Sequence, residues 1–80
     1  MPGIDPTGPV APYRQLAEIL AGRIKSGRYK PGQRIPTESE LVEEFELARS
    51  TVRRAVGALR ESGLVHTVPQ RGTYVSGASR

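Results

Sequence analysis

Eighty residues carrying a formal charge of +4 and no cysteine make one small domain without disulfides or thiolate metal sites. The single histidine, His66, excludes a histidine-built metal centre, and no cofactor is expected. No apolar run approaches the roughly 20 residues of a membrane span, and the N-terminus lacks the basic start and apolar stretch of a signal peptide, so a cytoplasmic, reducing compartment is expected.

The net charge suits a polyanionic partner, and its distribution is uneven. Six basic residues and one acid, Glu18, lie between Arg14 and Arg34. Five acids and no base lie between Glu38 and Glu46, and six arginines with one acid, Glu61, follow from Arg49 onward. Folding that turned the acidic segment away would leave one basic face; ordinary solvated helix faces are the alternative.

Met1 to Pro12 hold four prolines and two glycines, so residues 1–11 are expected to form a disordered arm. The ordered domain is expected over residues 12–76, with residues 77–80 frayed. A first helix is predicted from Pro12 to about Ser26. Tyr13, Leu16, Ala17, Leu20 and Ile24 recur at three- and four-residue spacings, and Gly27 stops it. Pro31-Gly32 suits a tight turn, and Gln33-Arg34-Ile35 suits a very short strand.

The second helix opens on Thr37-Glu38-Ser39-Glu40, the pattern of a capping box, and ends near Phe45 or Glu46. The third is predicted from Arg49 to about Ser62, with Val52, Ala55, Val56 and Leu59 on one side and Gly63 as its stop. Leu64–Val68 and Thr73–Val75 are β-prone and flank a turn over Pro69–Gly72, which reads as a hairpin.

Fold class follows from that order: mainly α with a small β-hairpin, a winged helix-turn-helix of three helices and a short antiparallel sheet. Two helices joined by a turn of three or four residues make a helix-turn-helix, whose second helix presents its N-terminal residues to base edges in the major groove. Here that helix starts Arg49-Ser50-Thr51-Val52-Arg53-Arg54. Ser50, Arg53 and Arg54 point away from its apolar side, with Arg49 and Thr51 on the flanks. Arginine can donate two hydrogen bonds to a guanine edge, and the short hydroxyls suit phosphate or base contacts. Arginines at a helix N-terminus oppose the macrodipole, a placement that stability alone would not select. The hairpin tip carries Arg71 and Gly72, suited to a neighbouring minor groove; an ordinary solvated turn is the plainer reading. The arm has no Arg or Lys with which to enter a minor groove.

From Tyr13 to Val75 the sequence resembles the N-terminal domain of the GntR family of bacterial transcription regulators. The resemblance rests on Pro31–Leu41 (PGQRIPTESEL), Ala48–Ala55 (ARSTVRRA), Leu59–Val65 (LRESGLV) and Arg71–Val75 (RGTYV). It implies that Arg49, Ser50, Thr51 and Arg53 contact operator DNA and that the wing tip at Gly72 approaches the minor groove. There are departures. Ser39 stands where the family often has an arginine, leaving a shorter phosphate contact. Ala48 replaces the usual Ser or Thr cap, and Gln70 stands where the wing often has glycine. Family members usually carry a C-terminal effector-binding and dimerising domain, which is not among these residues. The implied partner is a double-stranded DNA operator of two-fold symmetry, bound by a homodimer, with no membrane involved.

A winged helix that docks proteins instead of DNA is the competing reading; it calls for an apolar patch on the third helix, where arginines stand. An enzyme is not expected. His66 has no acid near it in sequence, and the glutamates of the second helix read as a cap and a solvated face.

Overall fold

Two of the helix starts and two of the helix ends coincide with a signal in the local sequence. In a computed structural model that describes residues 4, 5 and 7–76, α1 spans Pro12–Lys25, α2 Glu38–Phe45 and α3 Arg49–Glu61. Pro12 opens α1, where its missing N–H costs nothing. The α1 and α3 C-termini share one geometry. Gly27 and Gly63 take φ of +88° and +84°. The Arg28 and Leu64 amides then donate back to the Arg23 and Leu59 carbonyls at 2.9 and 3.1 Å. This is the Schellman arrangement, and it satisfies carbonyls that would otherwise be orphaned. The capping box of α2 is formed: Thr37 Oγ1 accepts from the Glu40 amide at 3.1 Å, and Glu40 Oε1 accepts from the Thr37 amide at 2.7 Å.

The hairpin pairs β1, Val65–Val68, antiparallel to β2, Gly72–Val75, in the register Val65 to Val75 and Val68 to Gly72. Its tight turn closes from the Val68 carbonyl to the Arg71 amide at 3.0 Å, one residue earlier than the sequence suggests. The predicted short strand at Gln33–Ile35 is reduced to a bridge between Arg34 and Tyr74 on the outer edge of β2. The Ile35 amide donates to Thr73 (2.9 Å) and the Val75 amide to Gln33 (2.8 Å). Pro36 has no N–H to extend that ladder, so the strand stops there.

The core is built on α3, which packs against α1, α2 and β1. Val52, Ala55, Val56 and Leu59 meet Leu16 and Leu20 of α1, Leu41 of α2, the strand residues Val65 and Val75, and Ile35 beside β2, all buried. Fully burying each larger aliphatic side chain is worth about 1.5–3 kcal/mol. Arg23 fastens α1 to α2 at the edge of this core. It donates to Glu44 Oε2 at 2.6 Å and to the Tyr29 hydroxyl at 2.7 Å, and its guanidinium lies over the Phe45 ring. None of the described helices is long and apolar enough to cross a membrane.

Of the arm expected over residues 1–11, the described part forms neither helix nor strand. The Gln15 side-chain amide gathers its backbone, donating to the carbonyls of Asp5 (2.8 Å) and Val10 (2.6 Å) while its oxygen accepts from the Asp5 amide (2.8 Å). Ile4 packs against the core. Residues 1–3, 6 and 77–80, the expected frayed tail among them, lie outside the described residues.

Candidate nucleic-acid interface

The turn between α2 and α3 is three residues long and is made by an unusual backbone. Glu46 adopts φ 55° and ψ 46°, the left-handed region, so the chain reverses at once and Leu47 tucks against the core. Ala48 then takes an extended conformation with no side chain to cap α3. The helix's first internal bond runs from the Val52 amide to the Ala48 carbonyl at 3.1 Å. The amides of Arg49, Ser50 and Thr51 therefore have no intrahelical partner and carry the positive end of the helix dipole. Backbone donors, a hydroxyl and two guanidinium groups gather at one exposed helix start. That combination suits an anion.

Arg49 and Arg53 project from α3 toward the start of α2. Arg49 donates to Ser39 Oγ at 3.1 Å, and its Nη1 lies 3.6 Å from one oxygen of Glu38; Arg53 Nε lies 3.6 Å from the other. The two arginine side chains remain 52% and 67% exposed. Solvated pairs of this length are worth about 1 kcal/mol at most, so both guanidinium groups can leave Glu38 for another anion. Arg54 turns the other way and lies over the Tyr13 ring, 4.1 Å from its centre. Ser50 is exposed, and Thr51 is half-buried beside Arg54, Tyr13 and Pro12.

Residues 12–75 match the sequence pattern of the bacterial regulatory proteins of the gntR family. The chain belongs to that family. Among its gntR relatives, the HTH-type transcriptional repressor NagR of Bacillus subtilis is 38% identical over 73 residues, covering 91% of this chain and 30% of NagR. The arabinose metabolism transcriptional repressor of Geobacillus stearothermophilus is 42% identical over 64 residues, covering 80% of this chain and 18% of that protein. The chain thus spans less than a third of the length of these curated relatives. Among solved structures, AraR(DBD) in complex with operator ORR3 superposes with a TM-score of 0.81 at 36% identity, covering 95% of this chain and 93% of that one. YtrA of Sulfolobus acidocaldarius, a GntR-family transcription factor, gives a TM-score of 0.85 at 28% identity, covering 95% and 80%. Three helices with a two-stranded antiparallel sheet are the winged helix-turn-helix of the gntR domain.

In this gntR domain the wing stands across from the α2–α3 corner, and an open groove of about 460 Å³ separates them. Ser39, Arg49, Arg71 and Gly72, four of the residues singled out from the sequence, line it. Arg53 lies beside it on α3, facing the lining residue Glu38. Ser50, Thr51 and Arg54 do not join them; they border a separate hollow at the start of α1. The wing is aimed by a polar chain from α3: Arg60 donates to Thr67 Oγ1 at 3.1 Å, and Thr67 faces Thr73 across the hairpin at 3.5 Å. His66 is exposed and stacks on its cross-strand partner Tyr74.

Sequence reasoning passed over Glu38, Tyr13 and Arg34. Glu38 belongs to the acidic segment, which would leave one basic face only if it turned away, and it sits between the two leading arginines of α3. It is the first residue of α2, directly after the cap, and is half-buried between the exposed Thr37 and Ser39. Tyr13 reads in sequence as part of an apolar stripe and is also the platform for Arg54. Gly72 has an internal reason to be glycine. Its φ is +136°, and a Cβ there would lie 2.9 Å from Arg34 Cδ.

Proposed function

We propose that this chain is the sequence-specific, double-stranded-DNA-binding domain of a transcription regulator and has no enzymatic role of its own. In this reading α3 enters the major groove with Arg49, Ser50, Thr51, Arg53 and Arg54 toward the DNA. Ser39 touches the backbone, and the wing brings Arg71 and Gly72 to the adjacent minor groove. One observation carries the reading: the uncapped N-terminus of α3 presents free amides together with an exposed Ser50 and two solvated, loosely held arginines. A docking module without DNA would need an apolar surface in the same place. Among the described residues Val10 is the one large hydrophobic that is exposed, and it lies in the arm.

A single domain of this size buries about 600–1,000 Å² on DNA, so tight binding calls for two copies. The reading therefore includes a homodimer on a two-fold operator, in the bacterial cytoplasm.

Selection of bound duplexes from a random library, followed by anisotropy titration at several salt concentrations, tests this. Log K should fall linearly with log salt. Arg49→Ala and Arg53→Ala should each lose about 1–3 kcal/mol of discrimination between selected and random duplexes. Unchanged discrimination in both variants would remove α3 as the reading helix.

A further inference from the structure

We infer that Arg34, in the segment between α1 and α2, is a phosphate-binding residue that clamps the DNA backbone between the reading helix and the wing. The inference rests on the proposed DNA binding and adds a contact that neither the sequence pattern nor the helix-turn-helix rule supplies.

The backbone dictates where Arg34 goes. Ile35 is buried in the core, and neighbouring residues of an extended segment point to opposite faces, so Arg34 must point outward. Pairing with Tyr74 holds that segment on the edge of β2. The aliphatic stem of Arg34 then crosses the face of Gly72, in space that any side chain there would occupy. Glycine at the turn end of β2 thus makes room for the arginine, and the arginine reaches the groove that Arg49 and Arg71 also line.

The charge in that groove is unbalanced. Three guanidinium groups line it, and its one carboxylate, Glu38, already faces Arg49 and Arg53. Among the described residues neither Arg34 nor Arg71 has a carboxylate within ion-pair distance. Ser39, Thr37 and Thr67 add hydroxyls to the same lining. Guanidinium and hydroxyl donors around an open groove match a phosphodiester, which is a singly charged acceptor with two free oxygens. A strand passing from the major groove at α3 to the minor groove at the wing must cross this gap. Arg34 has no base edge to read there, so it contributes affinity without sequence preference.

Arg34→Gln keeps the carbon skeleton that lies across Gly72 and removes the charge; Arg34→Met is a second neutral variant with a stem of similar reach. Both should weaken binding to selected and to random duplexes by the same factor, and the salt slope should shrink by about 0.9. Arg34→Lys should restore most of the slope. Wild-type binding combined with an unchanged slope in both neutral variants overturns the clamp while leaving the DNA-binding reading intact. A loss confined to the selected duplex also overturns it, because that would mark Arg34 as a reader of bases or a support of the wing. Failure of the wild-type domain to bind any duplex at low salt overturns the clamp and the functional reading together. Should one neutral variant fail to fold, as judged by circular dichroism, the other decides.

Discussion

The guanidinium of Arg54 lies over the ring of Tyr13, 4.1 Å from its centre, and so joins the start of α3 to the start of α1. Arg14 donates to the hydroxyl of the same tyrosine at 3.1 Å. One aromatic ring thus holds two cations at the flank of the proposed DNA face. Exposed contacts of this kind are worth about 0.5–1 kcal/mol. Tyr13→Leu and Arg54→Met, combined in a double-mutant cycle and followed by urea unfolding, are expected to couple by that amount. Tyr13→Phe should retain the coupling, because the ring and not the hydroxyl carries it. Strict additivity of the two substitutions would show that the stacking contributes nothing.

Glu38 places a negative charge where a phosphate would approach Arg49 and Arg53. Glu38→Gln removes that repulsion and frees both arginines. Affinity for random duplex at low salt should rise several-fold, and the ratio of selected to random binding should fall. The helix dipole should lose a favourable partner at the start of α2, worth about 0.3–1 kcal/mol of stability. Anisotropy titration and thermal melting of the same variant measure the two effects, and unchanged non-specific affinity would contradict the first.

Stability should weaken in acid through Glu44. The hydrogen bond from Arg23 holds its carboxyl below the ordinary carboxylate range. A group whose pKa is lowered by folding contributes stability above its unfolded value, about 4.3 for glutamate, and loses it as pH falls through the lowered folded value. Solvent screening keeps the effect small, since the Glu44 side chain is 42% exposed. Glu44→Gln should therefore flatten the decline of the melting temperature between about pH 5 and 3. At neutral pH the same variant should melt slightly below wild type. An identical acid profile in the variant would show that the pair is energetically silent.

Among the described residues two that are not glycine sit in the left-handed region, Glu46 in the α2–α3 turn at φ 55° and Gln70 in the wing turn at φ 64°. The Pro69-Gln70 turn has proline in second place and positive φ in third, where a type II turn favours glycine. Left-handed backbone costs an L-residue roughly 1–2 kcal/mol, and glycine gives back part of that gain as unfolded-state entropy. Glu46→Gly and Gln70→Gly should each stabilise by about 1 kcal/mol, raising the melting temperature by about 4–8 °C in a domain of this size. Glu46→Ala should show no such gain, which separates relief of strain from loss of charge.

Features that depend on neighbours along the chain are legible in the residues alone. Helix spans, the two glycine stops, the capping box at Thr37 and the hairpin all arise from interactions within a few residues, so spacing and turn chemistry suffice to place them. The same locality makes Ser50, Arg49 and Arg53 recognisable on the outer face of α3. Small shifts remain at the edges, where Ser26 and Ser62 become caps instead of helix and the wing turn closes one residue early.

Tertiary structure decided which distant residues share a place. Ile35 becomes core and Arg34 becomes surface only because β2 pairs with their segment from 40 residues away, Tyr74 against Arg34. Glu38 meets Arg49 and Arg53 only because the left-handed turn at Glu46 folds α3 back over α2. Tyr13 meets Arg54 only because α1 packs across α3. Periodicity along one chain reports which face of an element is apolar. It carries no term for what approaches the other face, because that is set by packing angles and loop geometry summed over the whole fold.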